Sequence, residues 1–151
     1  MSGQAGALLD RAAIEAIIPH RDPFLLIDEI VELEPGVRAT GRYHVRDDAW
    51  YLRGHFPGRP IMPGVLQVEA LAQVGAVCGL SHPSFAGKLA LFAGIDDVRF
   101  KRIVTPGDTL DLTCTITRLR GPIGKADGEA SVGGDLACRG SLTFALTELG
   151  A

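Results

Sequence analysis

Gly54-His55-Phe56-Pro57-Gly58-Arg59-Pro60-Ile61-Met62-Pro63-Gly64-Val65-Leu66-Gln67-Val68-Glu69-Ala70-Leu71-Ala72-Gln73-Val74-Gly75-Ala76-Val77-Cys78-Gly79-Leu80 is the stretch around which this chain is organised. Its first eleven residues hold three prolines and three glycines, a tightly held backbone around one histidine. From Pro63, whose restricted φ suits a first helical turn, the pattern predicts a helix to Leu80, about 27 Å long at ~1.5 Å per residue. Its apolar residues go round the whole cylinder, as in a helix covered on every side. Gln67, Glu69 and Gln73 interrupt them and need partners. A buried carboxylate costs several kcal/mol unless paired, so a raised pKa is expected for Glu69.

A rigid His55 and a carboxyl on a buried helix are the ingredients of an acid/base pair. The free amides around Gly64, backed by the helix dipole, would suit a carbonyl oxygen that gains charge. Together they fit removal of a proton next to a carbonyl. His55 and Glu69 suggest no third metal ligand, so no metal is expected.

Outward from this stretch the chain reads mainly as strands. Asp10 is placed to cap a short helix whose Ala13, Ile14, Ile17 and Ile18 share a face, and Pro19 ends it. Leu25–Glu34 and Val37–Val45 read as a hairpin turned at Pro35-Gly36. Lys88–Phe100 reads as one bent strand with Gly94 at the bend. Thr109–Leu119 alternates cleanly, with Leu110, Leu112, Cys114 and Ile116 on one side. Strands over Lys125–Val132 and Leu136–Thr147 follow, joined at Gly133-Gly134-Asp135. Five or six antiparallel strands and one helix apolar all round satisfy each other's burial if the sheet wraps the helix, an α+β architecture.

The 151 residues suffice for one domain, with residues 1–9 expected to be loose. A formal charge of −3 argues against nucleic acid as a main partner. Cys78, Cys114 and Cys138 sit within apolar patterns and lack metal-ligand spacing, which suits buried thiols in a reducing cytoplasm. Met1–Asp10 has no secretory-signal pattern. Residues 61–80 are apolar enough to suggest a membrane span, but Gln67, Glu69 and Gln73 count against insertion. A cytoplasmic protein is expected.

Residues 54–73 resemble the core motif of the bacterial 3-hydroxyacyl-[acyl-carrier-protein] dehydratases. Pro19-His20-Arg21-Asp22-Pro23-Phe24-Leu25-Leu26-Ile27-Asp28 and the block at 92–108 resemble two further family segments in the same order. The resemblance spans about residues 14–147 and implies a hot-dog fold, a curved sheet around a central helix. It implies His55 as the base at C2 of a (3R)-3-hydroxyacyl thioester, Glu69 of the partner subunit as the acid at the C3 hydroxyl, and the Gly64 amide as the oxyanion donor. It further implies acyl carrier protein as partner, no cofactor beyond the carrier's phosphopantetheine arm, and a homodimer that often assembles into a hexamer. Fatty acid synthesis is the expected setting, with lipid A precursors as another. By the same resemblance, Glu rather than Asp at position 69 implies dehydration without efficient isomerisation.

Phe56, Ile61, Met62, Leu91, Phe92 and Phe100 are the candidate tunnel walls, with Leu91 where many relatives carry an aromatic. Arg99, Lys101 and Arg102 are the candidate basic patch for an acidic carrier. His20, His44 and His82 have no carboxylate at a position comparable to that of Glu69, and a role in structure rather than chemistry is expected for His20. Two rival functions share the fold: an acyl thioesterase, and a non-catalytic acyl-binding subunit, which would not need both His55 and Glu69.

Overall fold

A computed structural model describes residues 7–148. One six-stranded antiparallel sheet is built from β1 (Glu29–Glu34), β2 (Arg38–His44), β3 (Lys88–Phe100), β4 (Thr109–Arg120), β5 (Ile123–Val132) and β6 (Asp135–Glu148), in the order β1-β2-β4-β5-β6-β3. A short helix α1 (Arg11–Glu15) precedes the sheet, and the long helix α2 (Gly64–Leu80) lies between β2 and β3 in the chain. α2 touches every strand of the sheet, which therefore wraps it in the hot-dog arrangement.

The wrapping follows from side-chain size. On β4, Leu110, Leu112 and Cys114 face inward and are fully buried. On β5 the inward positions are Gly124, Ala126, Gly128 and Ala130, all small, while Lys125, Asp127 and Glu129 face out. A Cβ added to Gly128 would lie 3.2 Å from Leu71 Cδ1, so the missing side chain is what lets α2 come this close. The β5–β6 hairpin turns through Gly133 and Gly134 at φ 57° and 90°, the left-handed backbone that a two-residue turn between strands demands.

Three differences from the sequence-based expectations have physical causes. The first strand starts at Glu29, not Leu25, although Leu25, Leu26 and Ile27 are buried. Their segment runs over α2 and is held by side chains: Gln73 Oε1 accepts from the Leu26 amide at 2.7 Å, Gln73 Nε2 donates to the Phe24 carbonyl at 2.9 Å, and Arg11 Nη2 donates to the Leu25 carbonyl at 2.9 Å. Second, α2 is not covered on all sides, because Val65 in its first turn is 73% exposed. Third, residues 8 and 9 are tied down, both amides donating to the Ile30 carbonyl, while residues 1–6 lie outside the described residues. As expected, the Asp10 side chain accepts from the Ala13 amide at 2.9 Å, and all three cysteines are free and buried.

Among the described residues β3 is an edge strand, hydrogen-bonded along one side only, to β6. Its register slips at Gly94 and again between Asp96 and Arg99, the second slip placing Asp97 at φ 52°. Leu91, Phe92, Ile95 and Phe100 are all exposed along it. An apolar edge of this length is an unusual surface for a chain to leave in water.

Gln73→Leu tests the tie between α2 and residues 24–26. It strands the buried Leu26 amide and is expected to cost about 1–3 kcal/mol, lowering Tm by roughly 3–10 °C. An unchanged Tm in thermal unfolding would contradict that role.

Candidate active site

His55 is held by the loop that the prolines and glycines shape. Its Nδ1 lies 2.9 Å from the Ile61 carbonyl oxygen, so Nδ1 carries the hydrogen and donates it, and Nε2 keeps a free lone pair. The Phe56 ring packs on the imidazole at 4.3 Å between centroids. The loop's far end is anchored where the Met62 amide donates to the Val104 carbonyl at 2.8 Å.

α2 then begins without a side-chain cap. The Leu66 and Gln67 amides both bond the Pro63 carbonyl. Those of Gly64 and Val65 lie ahead of them at the positive end of the dipole, available to an oxygen that gains charge. Gly64 has no room for a side chain, since a Cβ there would sit 2.6 Å from the Phe100 ring.

Glu69 lies further along the helix, its side chain 18% exposed. Its Oε2 accepts from Gln73 Nε2 at 3.0 Å, an i,i+4 pair. Burial pushes the carboxyl above its ordinary value of 4.5, with the Gln73 bond pulling the other way. The carboxyl opens onto a cavity of about 190 Å³ whose wall is mostly apolar and includes Leu91, Phe92, Ala126 and Phe144.

Of the six expected tunnel residues, Leu91 and Phe92 line this cavity, three others belong to the end of the molecule that holds His55 and Gly64, and one lies in the core. Phe56 packs on His55, Ile61 supplies its hydrogen-bond acceptor, and Phe100 lies against Gly64. Met62 is buried in the core. His55 is not among the cavity's lining residues. One chain thus presents two separate halves, a histidine half around His55, Gly64 and Phe100, and a carboxyl half around Glu69, Leu91 and Phe92.

His20 corrects an expectation. A carboxylate does face it: Nε2 is 3.6 Å from Glu69 Oε2, and the ring lines the cavity. Gly75, Ala126 and Phe144 went unnoticed as wall residues, and their only signal was small inward positions opposite a large one. His44 Nδ1 instead lies 2.9 Å from Thr109 Oγ1, and His82 Nδ1 accepts from the Ser84 amide.

Among the basic candidates, Arg99 and Lys101 are exposed, whereas Arg102 is held by Asp135 at 3.3 Å and Asp108 at 3.7 Å. Among the described residues no cluster of side chains has metal-binding geometry, and no helix is long and apolar enough to cross a membrane.

Residues 18–141 match the family model of the FabA-like domain. A curated 3-hydroxyacyl-[acyl-carrier-protein] dehydratase FabZ of Chloroflexus aggregans is 59% identical over 141 residues, 93% of this chain and 98% of that protein. The same-named protein of Roseiflexus sp. is 60% identical over 137 residues, 91% of this chain and 96% of its own. That of Moorella thermoacetica is 56% identical over 140 residues, 93% and 98%. Among solved structures, the dehydratase heterocomplex ApeI:P of Xenorhabdus doucetiae superposes with a TM-score of 0.77 at 20% identity, covering 90% of this chain and 91% of that one. A mutant of the thioesterase PA1618 of Pseudomonas aeruginosa reaches 0.63 at 17% identity, covering 83% and 84%. At such identities these two structures speak for the fold alone.

The raised Glu69 pKa has a thermodynamic consequence. The folded state holds the proton more tightly than the unfolded chain, so its contribution to stability is complete below the unfolded pKa and is lost as pH rises through the folded one. Glu69→Gln cannot ionise. Its Tm is expected to gain on that of the wild type as pH rises from about 5 to about 8. A Tm difference that stays constant across that range would contradict the burial of the charge.

Proposed function

This chain belongs to the FabA-like family and within it to the 3-hydroxyacyl-[acyl-carrier-protein] dehydratases of the FabZ type, lyases of fatty acid biosynthesis, and on that premise we propose that His55 of one subunit and Glu69 of the partner subunit remove water from the substrate. The observation that carries this reading is the division of the site. Glu69 opens on an apolar cavity that His55 does not line, and both halves expose apolar surface, with Phe56, Val65 and Phe100 at one and Leu91, Phe92 and Ile95 at the other. Pairing of two subunits along the β3 edges covers both surfaces and brings the base half of each to the acid half of the other.

In the assembled site, His55 Nε2 takes the proton from C2 of the (3R)-3-hydroxyacyl thioester. The electron pair moves first towards the thioester oxygen, where the Gly64 amide donates to it, and then forms the C2–C3 double bond. The C3–O bond breaks, the departing oxygen takes the proton of Glu69, and water and a trans-2-enoyl thioester result. Burial keeps Glu69 protonated beyond the usual carboxylate range, as a general acid requires. The thioester itself acidifies C2, so the scheme uses no metal or organic cofactor. The acyl chain occupies the apolar cavity beyond Leu91 and Phe92. Arg99 and Lys101, the two basic side chains of the patch without a carboxylate partner among the described residues, steer the acidic carrier protein.

Purified protein given a (3R)-3-hydroxyacyl carrier-protein thioester is expected to release water, read as the mass of the enoyl product. His55→Ala and Glu69→Gln are each expected to lose activity by about 10²–10⁴-fold. Replacing Arg99 and Lys101 together by Glu should slow turnover of the carrier-bound substrate about 10-fold while sparing a small thioester analogue. Free acid with released thiol would instead mark a thioesterase. Equal losses on both substrates would remove the docking role.

A further inference from the structure

We propose that His20 is a positioning residue for Glu69: together with Gln73 it presents an N–H to Oε2, which leaves Oε1 as the oxygen that carries the proton to be transferred. The inference deepens the dehydratase reading, since it concerns the acid of that same site.

Two donors converge on one carboxyl oxygen. Gln73 Nε2 is 3.0 Å from Glu69 Oε2, and His20 Nε2 is 3.6 Å from the same atom. The second distance exceeds that of a closed hydrogen bond, but contacts of this kind commonly tighten once substrate displaces water. The tautomer follows from burial. His20 Nδ1 is buried with no hydrogen-bond partner among the described residues. An orphaned buried N–H is rarer than an under-used acceptor, so the lone pair belongs on Nδ1 and the hydrogen on Nε2, facing Glu69.

The ring has little freedom to turn away. It stacks on Phe24 with centroids 6.3 Å apart and planes within 14°, and the Phe24 carbonyl accepts from the same Gln73 Nε2 that donates to Glu69. His20, Phe24, Gln73 and Glu69 thus form one closed unit, of which His20, Gln73 and Glu69 line the cavity. With Oε2 occupied by donors, a protonated Glu69 places its hydrogen on Oε1.

The surroundings favour the neutral form of both partners. Burial and the neighbouring Arg21 push the imidazole pKa down, while burial pushes the Glu69 carboxyl up. A charged His20 would instead hold Glu69 as the carboxylate and disarm it. Arg21 bonds the carbonyls of Glu15, Ile18 and His20, which holds its charge away from the cavity. From β4 the cavity meets Cys114, whose thiol burial pushes up to about 12, and its lining residues from β3, β5 and β6 carry no ionisable group. In the proposed dimer, His55 of the partner subunit faces the same space.

The test is an infrared titration of the Glu69 carboxyl in the whole protein without substrate. Subtracting the spectrum of the matching Glu69→Gln variant isolates that group. His20→Leu is expected to titrate at higher pH than the wild type, because the carboxylate has lost a donor, and His20→Gln, whose amide reaches the Nε2 position, is expected to restore the wild-type value. In turnover, His20→Leu should lower kcat about 10-fold with KM within about twofold, and His20→Gln should recover most of it. Should His20→Leu not fold, His20→Asn, whose amide reaches only the Nδ1 position, carries the same expectation. An unchanged or lower titration in the donor-less variant, or Leu and Gln variants that titrate alike, would overturn the proposal. Because the titration needs no substrate, its outcome is separate from that of the dehydration assay.

Discussion

A helix of 17 residues, apolar around most of its circumference, has to be enclosed, and the rest of this chain is shaped by that requirement. One sheet does it by curving until every strand touches α2. The curvature depends on residues that are absent in bulk: β5 offers only glycine and alanine at four successive inward positions, and Leu71 fills the space at Gly128. Enclosure also sets the chemistry. A carboxyl on such a helix is driven toward its neutral form, and Gln73 and His20 are the side chains that share its environment.

Enclosure by one sheet stops short at two places. The first turn of α2 emerges with Val65 in water, and β3 ends the sheet with an unpaired apolar edge. These are also the places where the two halves of the site lie. The His55 half stands at the start of α2, and Glu69 opens on the cavity that α2 and β3 help to line. In the dimer proposed above, the surfaces that a second subunit would cover are the ones at which the two halves of the proposed site lie, so assembly and catalysis would share an origin in what the single sheet leaves uncovered.

Much of this was legible in the residues themselves. The helix at Pro63–Leu80, the bend at Gly94, the turn at Gly133-Gly134 and the buried face of Leu110, Leu112 and Cys114 follow from local pattern, because backbone geometry and alternation are local properties. The segment 24–27 did not, since an apolar run reads the same whether its amides bond a strand or the side chain of a glutamine 47 residues away. The candidate wall residues divide for a related reason: Phe56 and Phe100 are as apolar as Phe92, and only the fold places them by His55 and Gly64 rather than on the cavity that Glu69 lines. His20 was passed over because its partner lies on a different element, 49 residues along the chain.

The central claim is that one working site is built from two chains, and subunit mixing tests it most directly. Samples of His55→Ala and Glu69→Gln, each inactive, are unfolded together and refolded, with mass spectrometry to count mixed pairs. If the base and the acid come from different subunits, half of the dimers are mixed and each has one intact site of two, so about a quarter of wild-type activity returns. Mixed pairs that form in that proportion and remain inactive would place both groups in the same chain and contradict the account.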